Sequence, residues 1–276
     1  MAVHRATDTT AGSPVLSVEG DWSGQLVATA VHAGHDLRPE VAEQMVLDEE
    51  VRLREEDPFT ERFIAQLPAR LVVHRSRFET DLNRVREEAV YREPDDAWGL
   101  EMWRGGRLPD DIAERSLQVF DEVYDELGRR FDELAARGPF VVYDVHSYNH
   151  RRDGADAGPA PQADNPDVNV GTGSLDRERW GSVVDTFMEQ VADLPGERLD
   201  VRENVKFVGR GVAQWAHARY PDQAIVLAIE FKKTYMDEWT GEPDDARIAT
   251  IARALAGTRA PVLAALERLA ARGVEA

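Results

Sequence analysis

The stretch from Phe140 to His150, FVVYDVHSYNH, constrains the chain more than any other. Four apolar or aromatic residues run directly into Asp144, His146 and Ser147, the pattern of a buried strand in a parallel sheet that delivers polar groups at its C-terminal end. Side chains two apart on a strand share a face, so Asp144 can reach the imidazole of His146. A carboxylate that holds one ring nitrogen fixes the tautomer and leaves the other nitrogen free for a metal. Taken alone, a histidine at a strand end is more often a satisfied, half-buried polar residue.

A second run has the same design. Gln25 to Val31, QLVATAV, is apolar and β-branched and discharges into His32, Ala33, Gly34 and His35. Two strands far apart in sequence, each ending in histidine, suggest one shared site where open α/β sheets bind ligands. Between them, residues 110–136 carry Ile112, Leu117, Phe120, Val123, Leu127, Phe131 and Leu134 near the helical period and stop at Gly138-Pro139. That segment reads as a long amphipathic helix feeding the central strand, a βαβ order. Ala224 to Phe231, AIVLAIEF, is a further buried strand, interrupted by Glu230.

The remaining elements are less sharply written. Pro14 to Val18 and Gln25 to Val31 flank GDWSG and suggest a hairpin or two adjacent strands. Residues 41–56 have helical character, and Asp57-Pro58 has the form of an N-cap followed by a first-turn proline. Short strands are expected at Leu71 to His74, in DVNVGTG and at Val205 to Val208, and helices at 178–194, 212–219 and 245–272, the last with Gly257 and Pro261 as candidate break points. Residues 85–108 are irregular and long enough to form a lid or specificity loop. Residues 151–166, rich in Asp, Gly, Ala and Pro, form the most flexible segment by composition. At 276 residues, with no internal repeat, the chain fits one α/β domain over 13–276 behind a loose N-terminus, 1–12.

Composition narrows the chemistry. With 52 acidic against 33 basic residues and a net charge of −19, nucleic-acid backbones and anionic membranes would be repelled. A small anionic substrate remains compatible if an arginine sits in its pocket. No cysteine is present, so a metal site must use His, Asp and Glu. The N-terminus lacks an apolar signal core and no run approaches a spanning helix, which makes the cytoplasm the default location. Oligomeric state is not written in the sequence.

Glu230 inside an apolar strand costs several kcal/mol unless it is paired or its pKa rises. A general base and an ion pair with Lys232, Lys233 or a distant arginine explain it about equally well. Asp81-Leu82-Asn83-Arg84 ends in the side chain that grips carboxylates in bidentate fashion. Asp57 reads equally as an N-cap, and Glu55, Glu56 and Glu61 as a solvated helix face. A catalytic zinc needs about three protein ligands, here two histidines and a carboxylate. His35, His150 and His217 have the reading of satisfied surface residues, the first two lying beside the motifs.

In order, HAGH, EEDPFTE, DLNR, DVHS and IEFKKTYMDE resemble the motif series of the N-formylglutamate amidohydrolase family. The resemblance implies a three-layer α/β/α sandwich around a mixed, mainly parallel sheet, similar to zinc carboxypeptidases. It implies His32, His146 and Asp57 as zinc ligands, with Glu56 and Glu61 as substitutes for the carboxylate, and Glu230 as general base and later proton donor. Arg84 with Asn83 would hold the substrate carboxylate, Tyr235 would contact substrate, and Arg210 would stabilise the oxyanion. The implied substrate is a carboxylate-bearing N-formyl or N-acyl amino acid, most simply N-formylglutamate. The chain departs from the family pattern at Val31, at Pro58-Phe59 and after Gly99-Leu100, which bears on substrate choice. Other readings are a carboxypeptidase-like peptidase, a deacylase for larger acyl groups, or a non-catalytic binding protein of the same fold.

Overall fold

The computed structural model describes residues 14–274; the expectation for residues 1–12 lies outside them. Seven strands form one sheet in the order β1-β3-β2-β4-β9-β5-β8. They are β1 (Leu16–Gly20), β2 (Leu26–Ala30), β3 (Ala69–Val73), β4 (Phe140–Tyr148), β5 (Val168–Gly171), β8 (Val201–Glu203) and β9 (Ala224–Lys232). A two-stranded ribbon, β6 (Asp193–Leu194) with β7 (Glu197–Arg198), stands apart. β2, β3, β4 and β9 run parallel, while β1 is antiparallel to β3, and β5 is antiparallel to β9. The sheet is therefore mixed and mainly parallel.

Helices cover both faces. Every residue of β4 and β9 is buried, as expected for strands covered on two sides. Phe140, Val142 and Val226 face α4 (Asp110–Ala135) and α6 (Val212–Arg219), while Val141, Tyr143 and Ile229 face α3 (Thr60–Phe63), α5 (Arg177–Ala192) and α7 (Asp245–Val274). Alternate residues of one strand thus feed two separate cores, which is why these strands read as unbroken apolar runs. No helix among the described residues is long and apolar enough to cross a membrane.

Several local expectations are corrected. β1 and β2 form no hairpin, because β3 lies between them, with Leu16 opposite Val73 and Ala30 opposite Val72. The helix expected over 41–56 divides into α1 (Pro39–Gln44) and α2 (Glu49–Glu55). Asp57 caps no helix with its side chain: α3 begins at Thr60 after Phe59, whose φ of 69° breaks the helical path. Residues 205–208 are a loop, not a strand. The buried Asn169 side chain accepts from the N–H groups of Val205, Lys206 and Phe207 at 3.0, 2.9 and 3.4 Å, bonds that a strand would have spent on a neighbour. α7 runs through both Gly257 and Pro261.

Candidate active site

The parallel strands end on one edge of the sheet, and the polar residues gather there. His32 follows β2, His146 belongs to β4, and Glu230 of β9 is the register partner of His146. Register partners in a parallel pair share a face, so Glu230 stands beside His146. Asp57 comes from outside the sheet, in the turn after α2, where its N–H donates to His32 O at 3.1 Å. The three candidate ligands are all buried, with their ligand atoms within 4.8 Å of one another.

Asp57 Oδ2 lies 3.2 Å from His146 Nδ1 and 3.5 Å from His32 Nδ1. A carboxylate lies beside each outer ring nitrogen. His32 Nε2 is 2.8 Å from Asp81 Oδ1, and His146 Nε2 is 3.1 Å from Asp144 Oδ2. A carboxylate at Nε2 fixes the proton there, so in the neutral tautomer each Nδ1 turns a lone pair toward Asp57. Two nitrogen lone pairs and a carboxylate oxygen aimed at one another require a proton or a cation between them. Two imidazoles, one carboxylate and two orienting carboxylates are a donor set that fits a divalent cation such as zinc.

Electrostatics agree with this geometry. Burial works against the charge on Asp57, yet hydrogen bonds from His146 and His32 hold its carboxyl far below the usual range. Burial likewise opposes charge on His146, but Asp144 and Asp57 drive it well above the ordinary histidine value. Glu230 behaves in the opposite way: burial, reinforced by Asp57 and only partly offset by His146, pushes its carboxyl up to about 7. The two lysines considered as its ion-pair partners are engaged elsewhere, Lys232 with Asp167 at 2.7 Å and Lys233 with two backbone carbonyls.

Around this centre the other sequence candidates fall in distinct places. Glu56 faces away from the cluster, its two oxygens bound by His35 Nδ1 and Ser76 Oγ. Glu61 is on α3 and contributes no atom to the cluster. Arg84 donates to Asp96 O at 2.8 Å, stacks 4.6 Å over Tyr91 and lines, with Trp98, a cleft of about 560 Å³. Asn83 lies against Gly211, where an added Cβ would sit 2.5 Å from Asn83 Cα. Arg210 is exposed on the adjoining loop. Tyr235 is fully buried, its hydroxyl 3.0 Å from Pro58 O and 2.9 Å from Ser147 Oγ. His150 pairs with Glu238 at 2.6 Å. His217 is a buried neutral imidazole, pushed down to about 4 by burial, whose Nε2 accepts from Val226 N–H.

Two residues were not singled out from sequence. Asp81 opens the DLNR motif but turns inward: besides His32 it takes Arg77 Nη2 at 2.8 Å and the Tyr91 hydroxyl. Burial pushes against its charge, and Arg77 with His32 holds it well below the carboxylate range. Arg77 itself is charged and bears on both Asp57 and Glu230. The available signal was the spacing of Arg77 four residues before Asp81. Residues 85–108 are bonded internally, Trp103 Nε1 to Tyr91 O at 2.8 Å and Arg92 N–H to Asp96 Oδ2 at 2.7 Å, and are tied to α4 by Arg86 Nε, which donates to Asp121 Oδ1 at 2.6 Å.

The family model for N-formylglutamate amidohydrolase matches residues 24–236. No curated protein matches the chain. Among solved structures, N-formylglutamate amidohydrolase from Ralstonia eutropha JMP134 aligns with a TM-score of 0.71 at 17% identity, covering 91% of this chain and 98% of that one. A gene product of Agrobacterium tumefaciens aligns at 0.68 and 17%, covering 92% and 97%. A metallo-carboxypeptidase from Burkholderia cenocepacia aligns at 0.40 and 14%, covering 92% and 62%. At these identities the first two establish a shared fold.

Proposed function

Because the chain belongs to the N-formylglutamate amidohydrolase family, we propose that it hydrolyses the amide of an N-formyl or N-acyl amino acid, with N-formylglutamate the first substrate to test. The observation that carries this reading is the buried convergence of His32, Asp57 and His146 with Glu230 beside them. Bound by those three ligands, a divalent cation, zinc by donor type, would supply Lewis acidity and lower the pKa of a water to about 7.

The chain's own groups do the rest. A carboxyl held near neutrality can both take and return a proton at physiological pH, which assigns Glu230 the proton of the attacking water and its delivery to the leaving nitrogen. Arg84, partly exposed and 3.5 Å from Asp81 Oδ2, is the residue we assign to the substrate carboxylate, a bidentate task suited to a guanidinium. Arg77 keeps a buried Nε without a protein partner among the described residues; with Arg210 on the rim, it is a candidate donor to the developing oxyanion. A net charge of −19 works against an anionic substrate, so local arginines would have to supply its attraction.

The test is Glu230→Gln, assayed for zinc content and for turnover of N-formylglutamate beside acetyl and succinyl glutamate and short peptides. Zinc should be retained while kcat falls by about 10²- to 10⁴-fold. A near-normal kcat would remove Glu230 from the role of base. A wild-type protein that binds no divalent metal, or cleaves none of the N-acyl amino acids, would overturn the reading.

A further inference from the structure

Asp57 is the one candidate ligand that the sheet does not carry. His32 follows β2 and His146 lies in β4, so the sheet itself fixes their separation. Asp57 sits in a turn between the seven-residue α2 and the four-residue α3, elements too short to hold a ligand to a fraction of an ångström by themselves. Something must tie this turn to the sheet.

The tie comes from the end of β9. Lys233 is fully buried, and its Nζ donates to Arg54 O and Glu56 O, both at 2.6 Å. Its own N–H is bonded to Tyr148 O at the end of β4. Two residues on, the buried Tyr235 hydroxyl reaches Pro58 O, so the carbonyls on either side of Asp57 are both held from one short segment. Tyr235 also touches Ser147 Oγ, which donates to Asp57 Oδ1 at 3.3 Å. Burying an ammonium is unfavourable even with carbonyls at its donors and the carboxylates of Asp57, Glu55 and Glu238 nearby. A lysine in that position needs a reason beyond packing.

We propose that Lys233 and Tyr235 form a clamp that positions Asp57 for the metal, making both of them positioning residues and not substrate contacts. The proposal rests on the reading of Asp57 as a ligand. It concerns the protein's hold on the ion before any substrate arrives.

The experiment measures zinc affinity by competition with a chelator, using the full chain without substrate, alongside the melting temperature of the metal-free protein. Lys233→Met should weaken zinc by about 10- to 100-fold, the range for groups that orient metal ligands. Tyr235→Phe should cost about fivefold, the worth of one neutral hydrogen bond. Lys233→Arg should recover part of the loss, and Lys232→Met should leave affinity unchanged, since Lys232 is bound to Asp167. Should Lys233→Met fail to fold, Tyr235→Phe and Lys233→Arg decide the matter. Folded variants with wild-type zinc affinity would overturn the clamp, as would a Tyr235→Phe protein whose KM rises while its zinc affinity stays put. A wild-type protein that binds no zinc would instead overturn the metal reading itself, and that failure is seen before any variant is made.

Discussion

Asp81→Asn offers the sharpest separation of metal orientation from fold stability. One oxygen of Asp81 faces His32 Nε2 at 2.8 Å; the other takes Arg77 Nη2 at 2.8 Å and the Tyr91 hydroxyl. Asparagine fills the same space but replaces one oxygen by a donor. Turned toward His32, its amide would force the other tautomer and put a proton on Nδ1, where the proposed cation would bind. Turned toward Arg77, it would oppose donor to donor and leave a buried guanidinium without its counter-charge. The first outcome costs about 10- to 100-fold in metal affinity, or about 1.4–2.7 kcal/mol; the second costs about 3–5 kcal/mol of stability. Asp144→Asn is the internal control, because Asp144 holds His146 and accepts from Thr29 Oγ1 at 2.7 Å with no guanidinium attached, and an imidazolium that loses its partner can shed its proton. Its stability loss should stay near the 1–3 kcal/mol of a broken buried hydrogen bond, about 2 kcal/mol less than the larger figure. Urea unfolding of the metal-free proteins and zinc titration read the two costs separately. An Asp81→Asn protein that binds zinc like wild type and unfolds like Asp144→Asn would refute the assignment of Asp81 to both tasks.

Zinc affinity should rise with pH, because the raised pKa of His146 makes a proton the rival occupant; about tenfold per unit is expected while one proton is displaced, measured by titration across pH 6 to 8. The linked stability has the opposite sign. A raised folded-state pKa contributes stability that is complete below the unfolded value and lost as pH rises through the folded one, so the metal-free protein should weaken toward alkaline pH while the zinc form does not follow it. Arg84→Met should raise KM for a carboxylate-bearing substrate by about 10- to 100-fold, the loss of a charge-assisted pair of about 1.5–3 kcal/mol, with kcat moving far less in steady-state assays. Gly34→Ala would place a methyl 2.2 Å from His74 C and 2.3 Å from His74 O; as backbone cannot step aside cheaply, a loss of about 1–3 kcal/mol in urea unfolding is expected, with weaker zinc binding through displacement of His32.

The legible parts of this fold are those where one strand or helix settles its own fate. β4, β9 and α4 read correctly because a strand buried on both faces needs an unbroken apolar run, and a helix on one face needs the 3.6-residue stripe. Pairing is different. β1 is only half buried, with a pattern that any neighbour could satisfy, and it pairs with β3 because β2 is already flanked by β3 and β4. Residues 205–208 have strand-like composition, yet the side chain of Asn169, distant in sequence, takes their backbone donors.

The same division runs through the candidate site. His32, His146 and Glu230 were legible because each is a polar residue placed where an apolar strand ends, an anomaly visible in one dimension. Asp57 was ambiguous because the local grammar of Asp-Pro before an apolar run is that of a helix start. What overrides that grammar is a turn with Phe59 at positive φ and three tethers from elsewhere: His32 O, Lys233 and Tyr235. Asp81 and Arg77 were missed for a related reason. A residue that orients a ligand betrays itself only through its partner, and here the partner is a histidine on another strand. The sequence therefore exposes groups that must break a pattern to reach the site and conceals those that serve by satisfying one. By that logic, further residues that shape the candidate site should be sought among the well-paired buried polar residues of this chain, and not among its anomalies.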